Sequence, residues 1–264
     1  MPIRGEAGRD KAGQSDSRQG EVGGREGGDW RFRLVALVSG LALILLAVPR
    51  LIAAVEGLEG REVLWDSQGM PSGSSLPLTE DRLLAGADSL AAQTKWEESG
   101  EAESDRGLLL LRAANLSRDP VRHRDLLRQA RVASEAGLAL APGQPSTWAR
   151  LAALRLDEGD GAGAALALRL SLMSGPVVPP LMTSRLALAL RLLPVLKEGD
   201  AELLRRQVRL AWVLDPDGVA ALAEGKPQEG RAEGSHFVIE SLNSLNASDM
   251  EAYIALHGKV QGKR

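Results

Sequence analysis

Hydrophobic and polar residues are distributed along this chain in three distinct regimes. Residues 1–29 carry glycines at 5, 8, 13, 20, 23, 24, 27 and 28 among alternating charges. Such a segment cannot bury enough apolar surface to offset its ordering entropy, so residues 1–30 are expected to form a disordered polar tail. From Leu34 to Val55 every residue is apolar or small except Arg50. Those 22 positions suffice for roughly 30 Å of hydrocarbon, with Arg50 near the far end where it can snorkel to headgroups. Trp30 and Phe32 stand at the near boundary, as an aromatic belt would. Residues 31–56 are therefore read as a transmembrane anchor, with Pro49 a candidate kink.

Beyond the anchor, residues 57–78 are rich in Gly, Ser, Pro and acidic side chains and are read as a linker. Helical periodicity starts at Thr79, where Glu80 and Asp81 mark a helix start and Leu83, Leu84, Ala87, Leu90 and Ala91 build one apolar face. The same spacing predicts helices over 104–117, 121–140, 146–158, 161–174, 181–197 and 200–214. Turn signals separate them, among them Asp119-Pro120, Pro142-Gly143, Gly159-Asp160-Gly161, Gly175-Pro176 and Asp215-Pro216. Pro194 predicts a kink or an early end within 181–197. Short connections imply antiparallel neighbours, and helices with one apolar stripe each need further pairs to cover them. Residues 79–224 are thus expected to be one helical domain, and 225–264 capping helices or a tail, with apolar-spaced runs at His236 to Leu245 and Asp249 to His257.

Composition sharpens this reading. Aromatics are only 3% of residues against 44% hydrophobic overall, so a core must be built from Leu, Ala and Val, which suits packed helices and an all-α fold. A net charge of −3 gives no electrostatic case for nucleic acid. Cysteine is absent, which removes disulfides, thiolate nucleophiles and Cys-based zinc sites.

Candidate chemistry is sparse. His123, His236 and His257 have no metal-ligand spacing, so no metal and no cofactor is expected. Gly159-Asp160-Gly161-Ala162-Gly163 lacks the Lys-Ser/Thr ending and preceding strand of a phosphate loop and reads as a turn. No Gly-x-Ser-x-Gly elbow occurs, and no catalytic constellation is apparent, so the chain is not expected to be an enzyme. Arg124, Arg128 and Arg131 in one helix, and Arg205, Arg206 and Arg209 in another, share faces able to meet an acidic partner or an anionic polymer. Neighbouring Asp and Glu make a solvated face the plainer reading.

One spacing points to a family. Pro142 and Pro176 are 34 residues apart, and between them lie Trp148, Leu151, Ala152, Gly159, Ala164 and Leu168. This resembles the tetratricopeptide repeat, with its W-x2-L-G-x2-Y, A-x3-F and closing P. Ala152 replaces Gly and Leu168 replaces Phe, keeping the small and large roles of their positions, whereas Arg155 replaces Tyr and predicts a position turned toward solvent. The match is best over about 145–176, looser over 121–142 and 199–216.

The resemblance implies a short α-solenoid of the membrane-anchored bacterial type, whose groove holds a segment of a partner protein without catalysis. The expectation is a scaffold at the cell envelope, anchored in the inner membrane through residues 34–55. Arg25, Arg31 and Arg33 before the span outnumber Arg50 and Arg61 after it, which favours a periplasmic C-terminal domain. The alternative is an accessory of envelope polysaccharide synthesis or export, for which Trp96, Trp148, Trp212 and Tyr253 would be the sugar-stacking candidates.

Overall fold

The structure, a computed structural model, describes residues 29–70, 76–223 and 231–243. These are all-α, with no strand among them. In chain order the helices are α1 (Asp29–Glu56), α2 (Leu58–Ser67), α3 (Glu80–Thr94), α4 (Gly100–Leu116), α5 (Pro120–Leu140) and α6 (Pro145–Asp157). There follow α7 (Gly161–Ser174), α8 (Pro179–Leu192), a single 3-10 turn (Leu193–Val195), α9 (Glu198–Leu214), α10 (Pro216–Ala223) and α11 (Arg231–Asn243).

The helix starts follow from local chemistry. The side chains of Thr79, Ser99, Asp119 and Asp160 each accept a hydrogen bond from a backbone N–H of the first turn, at 3.3, 3.2, 2.9 and 2.8 Å respectively. Pro120, Pro145, Pro179 and Pro216 occupy the first helical position, where a missing N–H costs nothing. Gly159 adopts φ +86°, a left-handed conformation that lets α6 turn back into α7. The Gly-rich segment at 159–163 is accordingly a turn followed by a cap.

The chain divides into two compact units, residues 1–47 and 48–264. In the first, the side chains from Trp30 to Leu46 are largely exposed, and α1 is long and apolar enough to cross a membrane. The helix runs through Pro49 without a break.

In the second unit consecutive helices pack on one another from α2 through α9, and further contacts join α2 to α4 and α6 to α8. One core cluster combines Val63 and Leu64 of α2 with Leu83, Leu90, Leu109, Leu110, Leu126 and Ala130. The other combines Leu151, Leu168, Met182, Leu186, Leu192, Leu204 and Val208, with Val219 and Val238 closing its far end. A core almost without aromatics requires close helix approach. At the α4–α5 contact a Cβ on Gly137 would stand 2.8 Å from the Ser104 amide nitrogen and 2.9 Å from the Gly100 carbonyl.

Several boundaries differ from the sequence reading. Residues 57–78 are not simply a linker, because α2 lies within them and buries Gly60, Val63 and Leu64. Gly60 passes so close to α3 that a Cβ there would be 2.7 Å from the Gly86 carbonyl. The last turns of α1 also belong to this packing: Ala53 is buried, Ser89 Oγ donates to the Glu56 carbonyl, and Arg50 Nε lies 3.8 Å from Glu97. The helix predicted over 181–197 ends at Leu192 and tightens into the 3-10 turn that contains Pro194, as a ring without an N–H requires. The sequence reading missed α10 entirely. Of the tail expected over 1–30, Asp29 and Trp30 belong to α1 and the remainder lies outside the described residues, as does the run Asp249 to His257.

Candidate binding groove

The residues singled out for the repeat occupy the α6–α7 hairpin. Leu151, Ala152, Ala164 and Leu168 are buried in the core, and α6 and α7 pack face to face. Trp148 is half-buried against the same core, and its Nε1–H donates to the Pro142 carbonyl at 2.7 Å. That bond ties the indole to the loop before its own helix. The Pro176 carbonyl accepts from Gln207 Nε2 at 2.8 Å, joining the loop after α7 to α9. Arg155 is half-buried rather than turned fully to solvent. Its Nη2 donates to Glu135 at 3.1 Å and its Nη1 to the Gly163 carbonyl at 3.4 Å, so the guanidinium bridges α5, α6 and α7.

The arginine clusters named from sequence lie on α5 and α9, apart from one another. Arg124 and Arg128 are exposed, Arg128 pairing with Asp125 and Arg124 donating to the Pro120 carbonyl at 3.2 Å. Arg131 pairs with Glu135 and Glu158, and its burial, opposed by those two carboxylates, leaves its pKa raised. On α9, Glu202 takes both Arg205, at 3.3 Å, and Arg209, at 3.6 Å, while Arg205 also lies over the Phe237 ring. Arg206 is exposed. Both clusters are largely engaged by acids of their own surface, the arrangement of a solvated face.

The open concavity lies elsewhere. A groove of about 790 Å³ runs across one face of α4, α6 and α8, within the range of sites that hold small ligands or short segments. Each helix contributes one stripe at helical spacing. From α4 come Leu108, Leu111 and Arg112; from α6, Ser146, Ala149, Arg150 and Ala153; from α8, Leu181, Ser184, Arg185, Leu188 and Arg191. Gln68, at the C-terminal cap of α2, reaches the same space. The lining is aliphatic and small, punctuated by four arginines, and contains no acidic and no aromatic side chain.

These arginines are held differently from the surface ones. Arg185 is only 1% exposed, and its Nη1 donates to the Gly175 carbonyl at 2.7 Å, which caps the C-terminal end of α7. Its Nε and Nη2 are buried without a hydrogen-bond partner. Arg150 donates to the Ser104 carbonyl. Burial pulls its pKa down to about 10, with Asp105 opposing the shift and Arg112 adding to it. Burial also lowers the pKa of Arg112 and of Arg185. Beneath Arg150, Asp105 is pushed up to about 6 by burial and by the charge of Glu101, against the pull of Arg150 and Arg61.

Sequence reading missed these four residues. They stand one or two to a helix, with no run to mark them. The signal was there at longer range: Arg112, Arg150 and Arg185 follow one another at 38 and 35 residues, near the 34 that separate Pro142 from Pro176.

His123 lies apart from the groove, its Nδ1 2.8 Å from the Ala114 carbonyl. Among the described residues no group of three His, Asp or Glu side chains converges as a metal site would require. Neither the scan against protein-family models nor the search of curated proteins finds a match for the chain.

Proposed function

We propose that the chain is a membrane-anchored, non-catalytic scaffold of the tetratricopeptide-like solenoid type that holds a segment of a partner protein at the cell envelope. The observation that carries this reading is the groove. It is built from alternate helices of a nearest-neighbour stack, α4, α6 and α8, each giving a stripe of small and aliphatic side chains to one continuous concavity. Stacked helix pairs leave such a face open along the inner helices, and extended segments bind there by filling pockets between stripes. The anchor is α1, whose exposed apolar side chains suit lipid better than water. Three arginines before the span against two after it favour a C-terminal domain on the periplasmic side of an inner membrane.

The polysaccharide accessory receives less support. Trp96 is half exposed, Trp212 packs against the core, and Tyr253 lies outside the described residues. Neither Trp96 nor Trp212 lines the groove.

The test is site-specific photocrosslinking in native membranes, with a benzophenone side chain introduced at Ala153 in the groove or at Val132 on α5. The expected result is a protein adduct from Ala153 alone, abolished by Ala149→Trp, which fills the groove. Equal adducts from both positions, or adducts indifferent to Ala149→Trp, would refute the groove as the scaffold's binding surface.

A further inference from the structure

We infer that the groove receives an acidic segment of its partner, in which Asp or Glu carboxylates alternate with small aliphatic side chains. This inference rests on the scaffold reading above and adds the chemistry of the occupant.

Outside the groove, several arginines lie beside carboxylates of the chain itself: Arg82 beside Glu62 and Asp66, Arg122 beside Glu80, Arg131 beside Glu135 and Glu158. Inside it the pattern inverts. Arg112, Arg150 and Arg185 come from three different helices to one concavity whose lining offers no carboxylate, and among the described residues only Arg150 of the three feels a carboxylate of the chain, Asp105. Among the described residues Arg112 forms no ion pair, and Arg185 keeps two buried donors unsatisfied. Arg191, at the rim, is the exception, 3.3 Å from Asp157.

Gathering like charges in a partly desolvated space is unfavourable, and buried donors without acceptors are costly. Both penalties are relieved by one event, the arrival of an anion. Planar guanidinium groups favour carboxylates because two parallel N–H···O bonds can form to each.

Between the arginines the groove is aliphatic. Leu108 and Leu111, Ala149 and Ala153, and Leu181 and Leu188 separate the charged positions. That interleaving matches a polypeptide, which can set a carboxylate and a methyl-bearing side chain in alternation. It does not match an acidic glycan, whose rings bind best against aromatic faces that the lining lacks.

The experiment uses the full chain in detergent micelles and fluorescence anisotropy of labelled peptides. One peptide alternates Glu with Ala and Leu; a second replaces Glu by Gln; a third replaces it by Lys. Unlabelled polygalacturonate serves as a glycan competitor. The expected result is saturable binding of the Glu peptide, at least tenfold tighter than the Gln peptide, with no binding of the Lys peptide. Affinity should fall at least tenfold in Arg112→Gln and partly recover in Arg112→Lys, both with unchanged helical circular dichroism.

Equal binding of the Glu and Gln peptides, both abolished by Ala149→Trp, would overturn the acidic-segment inference while leaving the scaffold standing. Displacement of the Glu peptide by polygalacturonate at comparable carboxylate concentration would overturn it in favour of a glycan. Absence of saturable Glu-peptide binding would overturn it too, and the photocrosslinking at Ala153 would then decide the scaffold separately.

Discussion

Arg155 of α6 and Glu135 of α5 form an ion pair at 3.1 Å, at the position where the tetratricopeptide pattern has an aromatic ring. Glu135 also receives Arg131, which reaches on to Glu158, so four charges cross-link α5 and α6, which pack on each other less extensively than α4 and α5 do. A half-buried network exceeds an isolated surface pair, so Glu135→Ala should cost about 1 kcal/mol. A double-mutant cycle with Arg155→Ala should return a coupling of about 0.5 kcal/mol or more that shrinks in 1 M salt. Thermal melts of the full chain in micelles, at low and high salt, measure it. Additive effects would mean the pair carries no coupling.

Glycine positions separate close packing from flexibility. Gly137→Ala would place a methyl group against the backbone of α4 at the Ser104 nitrogen and Gly100 carbonyl, where neither side can yield. The expected cost is about 2–3 kcal/mol. Gly199, in the first turn of α9, has open space where a Cβ would stand and no positive φ. Gly199→Ala should therefore stabilise by roughly 0.5 kcal/mol through helix propensity and a less mobile unfolded chain. Denaturation midpoints of opposite sign for the two variants are the expected readout.

The same distinction explains what the sequence made legible. Helices α3 to α9 announced themselves through apolar spacing and through caps such as Thr79, Asp119 and Asp160, and Pro194 marked its own break. Helix α2 stayed hidden because Gly57 and Gly60 read as linker residues, whereas they are the points at which α2 and the end of α1 press on Gln93, Gly86 and Leu90. Composition cannot tell a glycine that bends from one that makes room. Helix α10 was hidden behind Asp215-Pro216, read as a stop although Pro is favoured at a helix start. The groove was illegible for a different reason. Its arginines become neighbours only when α4, α6 and α8 are aligned, and local runs such as Arg205-Arg206 drew attention to a face already supplied with its own acids.

If α2 is part of the domain, its core contacts must contribute to stability. Val63 is 1% exposed and packs within the cluster formed by Leu83, Leu90 and Leu109. Removing its two methyl groups in Val63→Ala should cost about 2 kcal/mol, the sum of lost transfer energy and a small cavity. Glu59→Ala, on the exposed side of the same helix, should change stability by less than about 0.5 kcal/mol. A flexible tether would make both variants silent, so the melting temperature of Val63→Ala separates the two descriptions.

Asp105 makes the stability of the domain depend on pH in an unusual direction. Burial and Glu101 raise its pKa from 3.8 to about 6, against Arg150 and Arg61. The folded chain therefore holds this proton more tightly than the unfolded chain does. The resulting stabilisation is fully present below about pH 4 and is lost as pH rises through 6. Two units correspond to nearly 3 kcal/mol at full weight, and partial solvent screening reduces the expected contribution to about 1–2 kcal/mol. In Asp105→Asn the side chain is neutral at every pH, which mimics the protonated state. That variant should match the parent chain near pH 4 and exceed its stability by about 1–2 kcal/mol at pH 7. Urea midpoints of both chains at half-unit steps from pH 4 to 7.5 would trace the divergence. Parallel profiles would mean that Asp105 titrates as an ordinary surface carboxylate, and that the floor beneath Arg150 is wetter than its packing implies.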